Sequence, residues 1–227
     1  MMRADALALD LDGTLVDSAP DIAAALAHAL RCEHLDFRFD LPTVRGWVGD
    51  GPDALIRRAL AARGVTAPHP TLLRRLRAHF DDATLAAPLA HGTVFEGIEA
   101  VMAELSRSLP LVVVTNKPTP LARAVLADAG LLPHCAAVMG ADRPELRKPA
   151  PTLLLSAAEL CGVLPSRLLM VGDGPADVRA AAAAGCLMAL AGWGYGGVEE
   201  PGPAVWRLQV PRQLLVLLPP RASPASH

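Results

Sequence analysis

Short apolar runs alternate with amphipathic stretches through most of this chain. Ala6-Leu7-Ala8-Leu9 is apolar throughout. Its length suits a strand buried on both faces, as parallel strands are. From residue 95 onward the same kind of run recurs. Leu109–Thr115, Ala136–Gly140, Leu168–Gly172 and Leu187–Ala191 each read as a strand. Between them the spacing predicts helices over Glu96–Ser106, Ala122–Ala129, Thr152–Cys161 and Asp177–Ala184. Gly130 and Gly185 stand where glycine ends a helix. Strand and helix in alternation predict a parallel sheet with helices on both faces.

The segment from about 17 to 90 breaks that alternation. Ser18-Ala19-Pro20-Asp21 reads as a capping box with proline in the first turn, opening a helix to about Cys32. Pro52 opens a second helix that runs to Ala62, before Gly64. Residues 70–87 place Leu72, Leu73, Leu76 and Phe80 on one helical stripe. Between the first two helices, Gly49 and Gly51 flank Asp50 and predict a tight loop. No convincing strand is visible in this segment. The expected architecture is an α/β fold, a Rossmann-like parallel-sheet core of residues 1–16 and 91–227. An all-helical cap domain, residues 17–90, is inserted after the first strand. Pro219–His227 reads as a frayed tail.

Composition narrows the function classes. Hydrophobic residues make up 52% of the 227, enough for a sizeable core. Net charge is −2 with no basic block, so nucleic acid is not an expected partner. Cys32, Cys135, Cys161 and Cys186 are scattered, as reduced thiols in a cytoplasmic chain would be. Asp5, Asp10 and Asp12 interrupt the first apolar run, which argues against a signal peptide. The longest charge-free stretch, Ala180–Val198, holds five glycines from Gly185 to Gly197. It reads as helix end, strand and loop rather than a membrane span. Of 21 basic residues only Lys117 and Lys148 are lysine, and both fall beside candidate chemistry.

That chemistry sits at strand ends. Asp10 and Asp12 close the first apolar run, and spacing i, i+2 puts both carboxylates on one side while the chain stays extended. Gly13 then allows a sharp turn. Two like charges held together need a cation, and oxygen-only ligands favour Mg²⁺. Solvated acids in a turn are the plainer alternative. Thr115-Asn116-Lys117 offers a hydroxyl and backbone N–H groups as a phosphate cradle, or merely a turn. Lys148, alone, reads as a solvated lysine before Pro149. Asp173 ends another apolar run. Asp177 lies four residues on, where a helix N-terminus also favours an acid.

Taken in order, these segments resemble the four motifs of the haloacid dehalogenase superfamily. Asp10-Leu11-Asp12-Gly13-Thr14-Leu15-Val16-Asp17-Ser18 is similar to the first, Thr115 to the second, Lys148 to the third and Gly172-Asp173 with Asp177 to the fourth. Arg147 and Gly174 depart mildly from the family pattern. The resemblance implies a phosphatase working through an aspartyl-phosphate. Asp10 is then the nucleophile and Asp12 the general acid and base. Mg²⁺ is held by Asp10, Asp173 and the Asp12 backbone carbonyl. Gly13, Thr115, Asn116 and Lys148 serve the phosphate, and Asp177 supports Lys148 or the water shell of the metal. Trp47–Leu55, Val114–Pro120 and Gly194-Tyr195-Gly196 further resemble bacterial phosphoglycolate phosphatases. That implies a small phosphorylated metabolite, 2-phosphoglycolate, with Gly49 and Asp50 as candidate specificity residues, in a monomer or homodimer away from membranes. A phosphatase of sugar phosphates, amino-sugar 6-phosphates included, is the nearest alternative; pyrophosphatase and phosphomutase are more distant. A non-catalytic phosphate-binding module is the alternative of another class.

Overall fold

The computed structural model describes residues 4–196, 198 and 205–218. The expected tail Pro219–His227 and Gly197 of the expected glycine loop lie outside them. A six-stranded sheet is built from β1 (Ala6–Leu9), β4 (Leu111–Thr115), β5 (Ala137–Gly140), β6 (Leu168–Gly172), β7 (Leu187–Ala191) and β8 (Val205–Leu208). Its order is β5-β4-β1-β6-β7-β8, and every pairing is parallel. Leu9 of the central β1 sits opposite Val113 on one side and Val171 on the other. Parallel order brings all the strand carboxyl ends to one edge, where ligands of open α/β sheets bind.

The strand period of two divides the core between two faces. Leu7, Leu9, Leu111, Val113, Leu169 and Val171 face one side, with α5 (Ile98–Leu105), α6 (Thr119–Asp128) and α9 (Gln213–Leu217). Ala6, Ala8, Val112, Val114, Leu168 and Met170 face the other, with α7 (Thr152–Leu160) and α8 (Pro175–Ala184). Buried on both faces, these strands read as continuous apolar runs.

A third apolar cluster belongs to α1 (Ala19–Cys32), α2 (Leu41–Arg45), α3 (Pro52–Ala61) and α4 (Pro70–Ala86). Ile22, Leu26, Leu55, Ile56, Leu60, Leu76 and Phe80 are its buried members, and Leu121 of α6 joins them from beside the sheet. Two-residue strands bracket this helical segment: β2 (Val16–Asp17) pairs antiparallel with β3 (Thr93–Val94). So short a pairing has no periodicity to read, and the sequence showed no strand there.

Ser18 does not cap α1 with its side chain. The capping-box expectation is corrected: Ser18 Oγ donates instead to Asp12 Oδ1 at 2.5 Å. Asp21 accepts the N–H groups of His91 and Gly92, both at 2.8 Å. The two crossings between sheet and helical segment are thereby tied to each other. Two further elements, besides α2, β2 and β3, were not visible in the sequence. The edge strand β8 mixes apolar Val205 with exposed Trp206 and Arg207, and α9 spans only five residues.

Candidate active site

Four chain segments meet at the carboxyl edge of the sheet. Asp10 follows β1, and its main-chain N–H donates to Val171 O at 2.9 Å, which fixes the residue between β1 and β6. Its Oδ1 accepts from Leu11 N–H at 2.8 Å and pairs with Lys148 Nζ at 2.8 Å. Lys148 also donates to Asp177 Oδ1 at 2.6 Å and to Val114 O at 3.0 Å. An ammonium has three hydrogens, so all its donors are engaged. Asp177 turns its other oxygen back to Gly174 N–H at 3.0 Å, at the start of α8. Asp173 accepts from Thr14 Oγ1 at 3.0 Å and from Tyr195 N–H at 2.8 Å.

Asp10, Asp173 and Asp177 are all buried, each offering a carboxylate oxygen within 4.8 Å of the others. One ammonium does not balance three carboxylates. Burial pushes Asp10 up from 3.8 to about 7, and the charges of Asp177 and Asp173 add to that, against Lys148. Burial and then Asp177 push Asp173 up to about 6, against Tyr195 N–H, Thr14 and Lys148. Burial alone would lower Lys148, but Asp10 and Asp177 hold it above the usual lysine range. Hard oxygen donors with surplus negative charge are the donor set of a divalent cation such as Mg²⁺.

This electrostatics has a measurable consequence. Both carboxyl groups must lose their protons before a cation binds. Between pH 7.5 and pH 5.5, Mg²⁺ affinity measured calorimetrically is expected to fall by roughly a hundredfold, from the pKa values of Asp10 and Asp173. The stability sign follows from the same values. Pushed above 3.8, both groups make the folded chain hold more protons than the unfolded chain between about pH 4 and 7. Their stabilising contribution is full below pH 4 and is lost as pH rises to 7. The metal-free melting temperature should fall across that window, and added Mg²⁺ should raise it most at the high end. A flat Mg²⁺ affinity would reject this account of the cluster.

Asp12 stands apart from the trio. Lys117 Nζ donates to Asp12 Oδ1 at 2.7 Å and to Oδ2 at 3.0 Å, and Ser18 donates to Oδ1. Thr115 is buried at the end of β4, its Oγ1 accepting Lys117 N–H at 3.2 Å. Both N–H donors of the Asn116 side chain are engaged. Its Nδ2 donates to Gly49 O at 2.8 Å and Lys148 O at 3.1 Å, and its Oδ1 accepts Lys148 N–H at 2.7 Å. Asn116 thus holds the Lys148 segment and the loop after α2 together. Gly13 has φ +86°, and its N–H donates to Val16 O at 2.9 Å. A side chain there would meet Asp173 Oδ2 at 2.5 Å, so glycine lets Asp173 approach.

Two cavities open from these residues. One, about 30 Å³, has Asp10, Asp12, Thr115, Asn116 and Lys117 against Ile22, Trp47, Val48, Leu55, Phe80 and Leu121. The other, about 320 Å³, adjoins Asp10, Asp173 and Asp177 and is rimmed by Arg45, Arg58 and Arg179. Gly49 lines both, and Asp50 lines the larger, where it is paired with Arg58. The sequence alone gives Tyr195 no role. Its hydroxyl donates to Asp17 Oδ1 at 2.9 Å and accepts Ala19 N–H at 3.0 Å, so it links the Asp173 loop to the entry of α1. Lys117 also went unassigned, although the scarcity of lysine pointed to it.

A family model described as haloacid dehalogenase-like hydrolase matches residues 4–185. The phosphoglycolate phosphatase of Pectobacterium atrosepticum is 36% identical over 190 residues, which span 83% of this chain and 80% of that protein. That of Chromobacterium violaceum is 38% identical over 207 residues, spanning 87% of this chain and 89% of that one. A crystal structure from Haemophilus somnus, described as a predicted phosphoglycolate phosphatase, superposes with a TM-score of 0.85 at 25% identity. The match covers 96% of this chain and 99% of that one.

Proposed function

The chain belongs to the haloacid dehalogenase-like hydrolases and is a phosphoric monoester hydrolase; from that premise we propose that it hydrolyses 2-phosphoglycolate to glycolate and phosphate. The observation that carries the reading is the cluster at the sheet edge, Asp10 beside Lys148 with Asp173 and Asp177 within reach. Such phosphatases use a divalent metal, and the three carboxylates fit one by number, burial and donor type. We assign Mg²⁺, held by Asp10, Asp173 and the Asp12 backbone carbonyl, with Asp177 supporting. When bound, it supplies positive charge to the phosphoryl oxygens.

The residues of the chain supply the rest. Asp10 attacks phosphorus from the end of β1, where Leu11 N–H and Lys148 hold its carboxylate in place. An aspartyl-phosphate forms, splitting one difficult displacement into two. Asp12 gives a proton to the leaving oxygen, then takes one from the water that attacks the intermediate. Thr115 holds a phosphoryl oxygen, and Lys148, its three donors taken by Asp10, Asp177 and Val114 O, serves the phosphate by its positive charge. Positioning and charge stabilisation are what phosphoryl transfer chiefly requires. The segment 17–90 acts as the cap domain and brings Trp47, Val48, Gly49 and Leu55 over the site, excluding water.

One observation favours a second reading. A cavity of about 320 Å³ rimmed by three arginines exceeds what glycolate needs and would seat a sugar phosphate. A panel of 2-phosphoglycolate, amino-sugar and other sugar phosphates, and pyrophosphate, assayed for Mg²⁺-dependent phosphate release, separates them. A kcat/KM for 2-phosphoglycolate at least tenfold above the rest is expected. A sugar phosphate at the top of the panel would replace the substrate and keep the chemistry.

A further inference from the structure

We propose that Lys117 is a positioning residue: it holds the side chain of Asp12, the proton carrier of the reaction, in one orientation. The inference rests on the phosphatase reading above. Four buried or nearly buried carboxylates converge on this edge, and the only two lysines of the chain pair with three of them. Lys148 takes Asp10 and Asp177, which gather with Asp173. Lys117 takes Asp12, touching both its oxygens. Ser18 adds a third donor at 2.5 Å. A carboxylate gripped at both oxygens has one orientation, and Asp12 is not in the trio whose oxygens lie within 4.8 Å.

The surroundings strengthen the pair. The Lys117 side chain is only 6% exposed, and it lines the smaller cavity opposite Trp47, Leu55, Phe80 and Leu121. Few water dipoles compete there, so an ammonium acts on a neighbouring carboxylate far more strongly than at a surface. Lys117 is itself anchored, its N–H bonded to Thr115 Oγ1 at the end of β4.

The chemistry needs such a partner. In the first step the P–O bond to the leaving group breaks as Asp10 bonds to phosphorus, and the Asp12 carboxyl proton passes to the leaving oxygen. Asp12 is left as a carboxylate, and Lys117 and Ser18 stabilise that charge as it forms. In the second step water attacks phosphorus, its proton passes to Asp12, and the bond to Asp10 breaks. Lys117 keeps its own proton throughout and touches neither phosphorus nor the leaving oxygen.

The test compares leaving groups. An alkyl ester expels an alkoxide and needs the proton, whereas p-nitrophenyl phosphate expels a stabilised phenolate and does not. In Lys117→Met, kcat on 2-phosphoglycolate, or on the best alkyl ester of the panel, should fall about a hundredfold. The loss on p-nitrophenyl phosphate should be at least tenfold smaller. Lys117→Arg should recover part of the alkyl-ester rate. Mg²⁺ affinity of Lys117→Met, measured by calorimetry, should stay within about threefold of the parent, because the three clustered carboxylates do not touch Lys117. Should the Met variant fail to fold, Ser18→Ala tests the same clamp and predicts the same selectivity at about tenfold. Equal losses on both esters, no loss at all, or a larger change in Mg²⁺ affinity would each overturn the proposal. A parent enzyme that cleaves no ester would instead overturn the functional reading beneath it.

Discussion

Asp10→Asn is expected to abolish turnover while leaving the fold intact. The amide matches the carboxylate in shape, so Leu11 N–H and Lys148 can still donate to its oxygen. It does not attack phosphorus to give a hydrolysable acyl phosphate. Removing a nucleophile typically costs about 10⁴- to 10⁶-fold in kcat, and monoester hydrolysis leaves little uncatalysed background. Stability should move the other way. Asp10 is pushed up to about 7 because burying its charge is unfavourable, with Asp177 and Asp173 alongside. Above pH 7 the variant no longer bears that charge, and its metal-free melting temperature should equal or exceed that of the parent. Phosphate release together with a melting curve at pH 8 checks both halves. Mg²⁺-dependent turnover within tenfold of the parent would reject Asp10 as the nucleophile.

Lys148→Met should be nearly as damaging to activity and, unlike Asp10→Asn, should destabilise the chain. Lys148 makes three buried contacts, to Asp10, Asp177 and Val114 O. Its removal leaves Asp10 and Asp177 without their ammonium partner, beside the third carboxylate of Asp173. Breaking a buried pair in this way costs about 3–5 kcal/mol, because the orphaned charge stays out of water. Between pH 7 and 8 the metal-free melting temperature should drop by several degrees, and Mg²⁺ should restore more of it than it adds to the parent. Phosphate release should fall about a thousandfold, since the charge-assisted grip on the nucleophile and the positive charge beside the phosphate are both lost. Lys148→Arg should rescue little. A planar guanidinium does not fit a fully buried site shaped for a compact ammonium. Unchanged stability in Lys148→Met would show that the carboxylates are already neutral and would overturn this charge balance of the cluster.

The fold and much of the site were legible for one physical reason. β1, β4 and β6 are buried on both faces, so they appear as uninterrupted apolar runs, and a polar residue at the end of such a run stands out. Asp10, Thr115 and Asp173 were found in this way. Parallel pairing then places all three at one edge without further information. The helices of segment 17–90 were legible from the 3.6-residue stripe of Leu72, Leu76 and Phe80 and from glycine and proline at their ends. The weak elements were not: β2 and β3 have two residues each, and β8 lies at an exposed edge.

What only the tertiary structure decided is who partners whom. Four acids look alike in sequence, yet Asp177 joins Asp10 and Asp173 while Asp12 is drawn to Lys117, 105 positions away. Ser18 reads as a helix cap from its neighbours and serves Asp12 instead. Asn116 reads as a phosphate ligand, and its amide is engaged by Gly49 and Lys148. In each case local spacing stated what the side chain is able to bond, and the choice among partners fell to contacts between segments far apart in the chain. Periodicity records burial, which every residue of an element shares. Hydrogen-bond partners depend on ångström-scale positions that exist only once the sheet and the helices around it have packed.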